Sequence, residues 1–216
     1  FAEAVFTAQR SLEDGQAFYR ELKTATARAR RNPDHLKVLP GVVPILGGTE
    51  EEAQRLEREL DDLMVHEHAL HQLVEQIGIP AQEIDLDAPL PAQVRATGDI
   101  QGNRSRYQLT LEMAHRERLT VRQLLNRLGG GRGHRTFAGT PEQLADTIEQ
   151  WFNNGAADGF NVMPAVLPSG LEAFVDHVVP ILQARGLFRH EYVGSTLREH
   201  YGLPVPGDVE LGQVSA

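Results

Sequence analysis

The most unusual local composition in the chain is RLGGGRGHRTFAGT, residues 127–140, where four glycines surround Arg132 and His134. A guanidinium and an imidazole on such a flexible backbone could close over a pocket and contact a substrate, as mobile enzyme loops do. The stretch lacks the Lys-Ser/Thr ending of a phosphate-binding P-loop. The plainer alternative is the end of a helix followed by a linker. Arg132 and His134 are therefore candidate substrate-binding residues.

The same stretch lies in the most basic region of an acidic chain. This region suits an anionic ligand, although its arginines could equally pair with carboxylates elsewhere in the chain. The preceding residues 79–110 are rich in proline, aspartate and glycine, which predicts an irregular insertion at the carboxyl ends of the strands. Asn103 of this insertion is the third candidate substrate-binding residue. The arginines of the basic region are Arg116, Arg118, Arg122, Arg127, Arg132 and Arg135.

A second histidine-rich stretch, VHEHALHQ at 65–72, lacks the spacing of a zinc site. A zincin helix carries two histidines four residues apart with a glutamate beside the first. His66 and His71 are five residues apart, about 140° around a helix, and His68 points away from His66. We therefore expect surface histidines and no metal. No Ser/His/Asp signature is present either, so the sequence leaves the catalytic residues unassigned.

Three short apolar runs predict strands at 3–8, 36–46 and 158–163, and each is followed by a segment with helical apolar spacing. Strand–helix units of this kind build parallel sheets that are covered by helices. A closed α/β barrel needs eight such units, and three cannot close one. The chain is therefore either a small open α/β domain or the last part of a barrel.

Ligands of such sheets bind beyond the carboxyl ends of the strands. Gln9 follows the first predicted strand, and Asn161 and Met163 stand at the end of the last one. Their position alone makes these three residues candidates for binding a cofactor.

Capping boxes mark several predicted helix starts. In this motif a Ser or Thr side chain caps the helix, and an acid or amide three residues later returns a hydrogen bond. Pro180 should kink or split the last long helix, because it removes one backbone donor and crowds residue 176. The predicted boxes are Thr49–Glu52, Thr140–Gln143 and Ser169–Glu172.

The composition excludes several classes of function. The 216 residues are 41% hydrophobic and 24% charged, which is typical of one globular domain. Without cysteine there is no disulfide and no thiol catalysis, and a net charge of −9 argues against a nucleic-acid partner. No apolar run is long enough to cross a membrane, and nothing resembles a signal peptide. We therefore expect a cytoplasmic protein.

Several longer stretches carry a resemblance to a known family. They include AEAVFTAQ, LKVLPGVVPILGGTEEEA, GDIQGNRSRYQLTLEMAHRERLTVRQLL, GRGHR and FAGTPEQLADTIEQWFNNGAADGFNVMP. Together they resemble the C-terminal part of bacterial luciferase-like flavin-dependent monooxygenases. The subgroup is that of the nitrilotriacetate and EDTA monooxygenases and related sulfur-heterocycle enzymes. The resemblance runs from about Ala2 to Leu203.

The resemblance implies part of a (β/α)8 barrel, with the three predicted strands as its sixth, seventh and eighth. The chain would then be one partial domain, with an insertion at about 79–135 and a C-terminal tail at 187–216. The first five units, and the serine segment that grips the FMN phosphate in the family, would not be encoded in this chain. No catalytic residue of the family carries over.

The implied function is a two-component monooxygenase. A separate flavin reductase supplies reduced FMN, and O₂ is used to oxygenate a small organic substrate such as an amino polycarboxylate or a sulfur heterocycle. The alternative is a non-catalytic fragment that acts as an oligomerising or interaction module, because an open sheet leaves unpaired edges. We also expect a homo-oligomer.

Overall fold

The computed structural model describes residues 2–63, 70–71, 73–74, 79–90, 111, 114–130 and 134–204. Two of the candidate substrate-binding residues, Asn103 and Arg132, lie outside these ranges, as do His66 and His68. The predicted placement of the whole segment 79–110 at the carboxyl ends of the strands therefore stays a prediction.

The described chain contains a parallel sheet organised around one long strand. β2 (Lys37–Leu46) pairs in parallel with β1 (Ala4–Thr7), β3 (Arg135–Gly139) and β4 (Asn161–Val162). Val42 of β2 is in register with residues of both β3 and β4, so these two strands flank β2 on opposite edges. The three predicted strands thus belong to one parallel sheet, which confirms the expected α/β class.

Two details of the predicted sheet are wrong. Only Asn161–Val162 of the predicted strand 158–163 pairs as a strand, because the side chain and backbone of Asp158 bind the start of β2 instead. β3 was expected to be loop. Its residues RTFAG follow a run of glycines, but Thr136 and Ala138 are in register with Val43 and Ile45 of β2.

The helices follow the strands, as expected. Two of them are followed by glycines with positive φ, Gly155 and Gly186, a conformation that commonly ends a helix. Short 3₁₀ turns lie at Pro33–His35 and Ala81–Glu83. In chain order, the helices whose two ends both lie in the described ranges are α1 (Leu12–Arg28), α2 (Glu50–Asp62), α3 (Val121–Gly130), α4 (Pro141–Asn153), α5 (Ser169–Ala173), α6 (Val179–Ala184) and α7 (Leu197–His200).

The three predicted capping boxes have three different outcomes. Thr140 and Gln143 form the complete box at the start of α4. Thr49 caps α2, but the carboxylate of Glu52 accepts from the N–H of Gly48 instead of completing the box. The box at Ser169 is wrong, because α5 begins at Ser169 itself and no side chain caps it.

Pro180 interrupts its helix as predicted. Between α5 and α6 the chain forms a wider π-helical segment, Phe174–Val178, and Pro180 stands in the first turn of α6. The wider turn lies where the proline ring would otherwise crowd residue 176, and where its missing N–H leaves a carbonyl without its usual donor.

The two faces of the sheet have different neighbours. On one face Val42 packs against α4, the π-helical segment and α6 in one cluster with Leu144, Phe174 and Leu182, all of which are buried. Side chains alternate along a strand, so Leu39 and Gly41 belong to the opposite face. Phe6 of β1 and Asn161 of β4 are in register with these two residues and share that face.

The start of the sheet is held by the carboxylate of Asp158. It accepts hydrogen bonds from the Tyr19 hydroxyl (2.9 Å) and the Val38 N–H (2.8 Å), and it pairs with the Lys23 ammonium at 2.9 Å. Lys23 also donates to the carbonyls of Pro33 and Leu36. One carboxylate therefore joins α1, β2 and the segment that leads into β4.

The chain after α6 returns to the start of β1. The Arg198 guanidinium of α7 forms a two-pronged ion pair with Glu3, at 2.7 and 2.8 Å, directly before β1. This hydrogen-bonded pair holds the pKa of the Glu3 carboxyl below its usual value. No helix in the described ranges is long and apolar enough to cross a membrane.

We predict that Asp158→Asn destabilises the protein by about 3 kcal/mol, because it leaves the largely buried Lys23 without its counter-ion. Urea unfolding followed by circular dichroism measures this loss. The matched control is Asp176→Asn, since Asp176 is exposed and should change stability by less than about 0.5 kcal/mol. Equal, small effects of both substitutions would contradict this role of Asp158.

Candidate functional site

The strands β1 and β4 both end beside the middle of β2. Thr7, the last residue of β1, is in register with Pro40, and Asn161 of β4 is in register with Gly41. β2 continues beyond this level with β3 along its edge. The carboxyl ends of β1 and β4 therefore form a ledge at residues 40–42 of β2, the place where parallel sheets bind ligands.

The three candidate cofactor-binding residues all lie at this ledge and are half-buried. The amide of Gln9 donates to the Thr7 hydroxyl at 2.9 Å. The Asn161 amide donates to the Leu39 carbonyl at 3.4 Å, and the Met163 N–H donates to the Val42 carbonyl at 2.9 Å. Both amide side chains thus have one defined contact and keep further donor and acceptor positions.

His134 comes to the same ledge from a distant part of the chain. It directly precedes β3, and its ring stacks on the Phe6 ring with centroids 4.6 Å apart and planes 2° apart. A Cβ on Gly41 would lie 2.5 Å from Nδ1 of His134. Because Gly41 is the register partner of Asn161, the structure brings His134 together with the carboxyl ends of β1 and β4.

Sequence reasoning missed two residues of this arrangement, Phe6 and Gly41. A signal for Gly41 was present, because a lone glycine in a strand often marks a close approach by another group. For Phe6, the alternation of side chains along a strand predicts only which face of the sheet the ring lies on, and not which residue it contacts. Its contact with His134 depends on how β3 pairs with β2, which the sequence did not reveal.

Two described arginines of the basic region, Arg122 and Arg135, have their partners away from the ledge. The guanidinium of Arg135 lies 5.5 Å from the ring centre of Trp151 of α4, and burial lowers its pKa. Arg122 binds both oxygens of the Asp87 carboxylate, at 2.8 and 3.1 Å, and this hydrogen-bonded pair raises its pKa. These two arginines therefore interact with side chains of the protein itself, which is the alternative to binding an anionic ligand.

The most strongly perturbed titratable group lies away from the ledge. Burial, followed by the hydrogen bond to Asp158, raises the pKa of the Tyr19 hydroxyl. Tyr19, Lys23 and Asp158 surround Val38, at the start of β2, whereas the ledge is at residues 40–42. Enzymes of the α/β barrel type have their active sites at the carboxyl ends of the strands, so we assign this network to stability.

No group of three or more His, Cys, Asp or Glu side chains in the described ranges could hold a metal ion. The described part of the site thus consists of amide side chains, one imidazole and one exposed aromatic ring. These groups can orient a flat polar ligand by hydrogen bonds and stacking, and the imidazole can donate to an anion or exchange a proton.

The chain is similar to several monooxygenases. N-acetyl-S-(2-succino)cysteine monooxygenase of Bacillus subtilis is 47% identical over 95% of this chain and 46% of its own length. Nitrilotriacetate monooxygenase component A of Aminobacter aminovorans is 46% identical over 95% of this chain and 45% of its own. The structure of EDTA monooxygenase from Chelativorans sp. BNC1 matches with a TM-score of 0.64 and 36% identity, over 94% of this chain and 47% of that one. No family model matches.

These matches confirm the predicted resemblance to the nitrilotriacetate and EDTA monooxygenases, and the sheet and its helices are part of a luciferase-like α/β barrel. The chain spans about half the length of the curated relatives it matches. The ledge accordingly lies at the carboxyl ends of the strands of a partial barrel, which is the end where barrel enzymes bind their ligands.

The raised pKa of Tyr19 predicts a loss of stability in alkali. The hydroxyl stays protonated in the fold, so its contribution is complete below the unfolded pKa of about 10 and is lost as the pH rises beyond it. At pH 7, Tyr19→Phe should cost about 1 kcal/mol for the missing hydrogen bond. This difference from wild type should shrink between about pH 9.5 and 11.5, measured by urea unfolding. A difference that stays constant with pH, or an equal effect of Tyr192→Phe at an exposed tyrosine, would refute the assignment.

Proposed function

We propose that this chain forms part of a two-component flavin-dependent monooxygenase, for which a separate reductase supplies reduced FMN and O₂ is the oxidant. The observation that carries the proposal is the identity of 46–47% with two monooxygenases over 95% of the chain. One relative is named as component A of its monooxygenase, which supports the existence of a second component. The proposal includes a cytoplasmic location, which rests on the sequence alone.

The ledge fits one side of a flavin ring. The isoalloxazine edge alternates hydrogen-bond donors and acceptors, and Gln9 and Asn161 each carry both on one amide. The Met163 side chain offers a polarizable surface beside them. We assign these three residues to the ring of FMN. When bound, reduced FMN would activate O₂ for transfer of one oxygen atom to the substrate.

The chain's own residues would bind and orient the reactants. His134 would contact the substrate by donating to an anionic group or holding a proton near it. Arg132 and Asn103 remain candidate substrate-binding residues from the sequence. No residue of this chain is assigned a catalytic role.

The proposed substrate is a small carboxylate-rich molecule. Nitrilotriacetate, EDTA and N-acetyl-S-(2-succino)cysteine, which are named for the three similar proteins, each carry several carboxylates. An imidazolium at position 134 and an arginine at position 132 would suit such a molecule electrostatically. A sulfur heterocycle is the second candidate, because a dibenzothiophene-sulfone monooxygenase of Rhodococcus erythropolis is 41% identical to this chain.

A second candidate function is that of an interaction module. Its supporting observation is a series of exposed apolar side chains: Phe6 is 54% exposed, and Leu171 and Val175 of the interrupted helix are 42% and 49% exposed. Exposed apolar surface of this kind promotes association with a partner or a second copy.

We predict weak FMN binding by the 216-residue chain alone. The candidate ring contacts lie on a ledge that is open on the side of Phe6, and a half-open site buries too little of a ligand to offset the freedom it loses. Titration of FMN fluorescence with the protein measures the affinity. Quenching that saturates at low micromolar concentration would show a complete flavin site and would contradict the partial-site account.

We also predict that the chain self-associates in solution through its exposed apolar surface. Multi-angle light scattering after gel filtration should give a mass above that of the monomer, and the mass should fall on dilution. The variant Leu171→Gln/Val175→Gln should shift the distribution toward monomer. Gln150→Ser on the exposed face of α4 is the control, which should leave it unchanged. A strictly monomeric wild-type chain would remove the interaction-module alternative.

A further inference from the structure

Phe6 is an exposed aromatic residue at the very end of a strand. It lies in β1 directly before Thr7, and 54% of its surface is in contact with solvent. Within the described residues, this large apolar side chain gains little from burial. Among the residues that the structure describes, its ring contact is the parallel stack with the His134 ring.

Gly41 lies against the edges of both stacked rings. A side chain at this position would meet three atoms at once: Nδ1 of His134 at 2.5 Å, Cγ of His134 at 2.8 Å and Cε2 of Phe6 at 2.9 Å. Real Cβ contacts are essentially never shorter than 3.0 Å, so even alanine would displace the ring pair. Gly41 is also flanked by buried residues of β2, which leaves the strand no room to shift.

We propose that Phe6 and Gly41 are positioning residues for His134, and that together they hold its imidazole in one orientation at the ledge. The Phe6 ring sets the plane of the imidazole, and the missing side chain of Gly41 admits its Nδ1 edge. The Nε2 edge then points away from β2, in the direction of a ligand bound at the ends of β1 and β4. The purpose of this orientation rests on the proposed function, but the orientation itself does not.

A second aromatic–histidine pair shows what an unconstrained pair looks like. Tyr192 and His200 have ring centroids 4.5 Å apart, but their planes are tilted by 36°, and Tyr192 is 67% exposed. No niche in a strand holds that imidazole, which instead bonds the Gly194 carbonyl through Nε2. His200 therefore serves as an internal reference in the same molecule.

The test is the imidazole spectrum of His134 in the intact chain, without flavin or substrate. Two-dimensional ¹H–¹⁵N spectra resolve the ring nitrogens and protons of the nine histidines, and His134→Gln identifies the signal of His134 by its loss. In the wild type we expect one fixed tautomer and upfield-shifted ring protons, because those protons lie over the Phe6 face. Phe6→Leu should abolish the upfield shift and average the two ¹⁵N shifts, whereas Phe6→Tyr should keep both.

Gly41→Ala should change the His134 signal in the same way as Phe6→Leu. The matched control is Gly159→Ala on the same face of the sheet, where a Cβ would only approach the flexible end of Leu39 at 3.2 Å, and it should leave the signal unchanged. The His200 signals should not move in any of these variants. An unaltered His134 signal in Phe6→Leu, which keeps Gly41 and the rest of the strand intact, overturns the inference. Because no flavin is present, a failure of the proposed flavin chemistry would not produce that result.

Discussion

The fold depends on one carboxylate that joins three segments from distant parts of the chain. Asp158 binds Tyr19 and Lys23 of α1 and the backbone of Val38, while its own N–H donates to the Val38 carbonyl. These contacts fix where the segment before β4 meets β2. From that point the register follows: Asn161 comes to lie beside Gly41, and the end of β4 reaches the same level as the end of β1.

The two ends of the sheet therefore have different roles, one in stability and one in the proposed ligand contact. At the start of the strands a paired charge network is largely buried, and it contributes to stability because all its partners are satisfied. At the carboxyl ends the strands stop early and leave amides, an imidazole and an exposed aromatic ring at the surface. This division is the one on which α/β barrel enzymes depend, since rigid strands carry groups whose free ends contact the ligand.

Local rules predicted the parts of the fold that depend on neighbouring residues. Capping preferences predicted the cap at Thr140, and the missing N–H of proline predicted the helix break at Pro180. The spacing of apolar residues predicted the three parallel strands. β3 was missed because its five residues follow a glycine run, and only pairing with β2 makes them a strand. The same non-local pairing places His134 beside Phe6. The local composition could therefore identify His134 as a candidate site residue, but it could not predict which residues His134 contacts.

The central claim is that the ledge is part of a flavin site once the rest of the barrel is present. The most direct test is a chimera in which this chain replaces the matching part of nitrilotriacetate monooxygenase component A, about half of that protein. The quantity to measure is the affinity of the chimera for FMN, with circular dichroism as the check on folding. We predict binding within about tenfold of the parent protein, a difference of about 1.4 kcal/mol. A folded chimera that does not bind FMN would contradict the account.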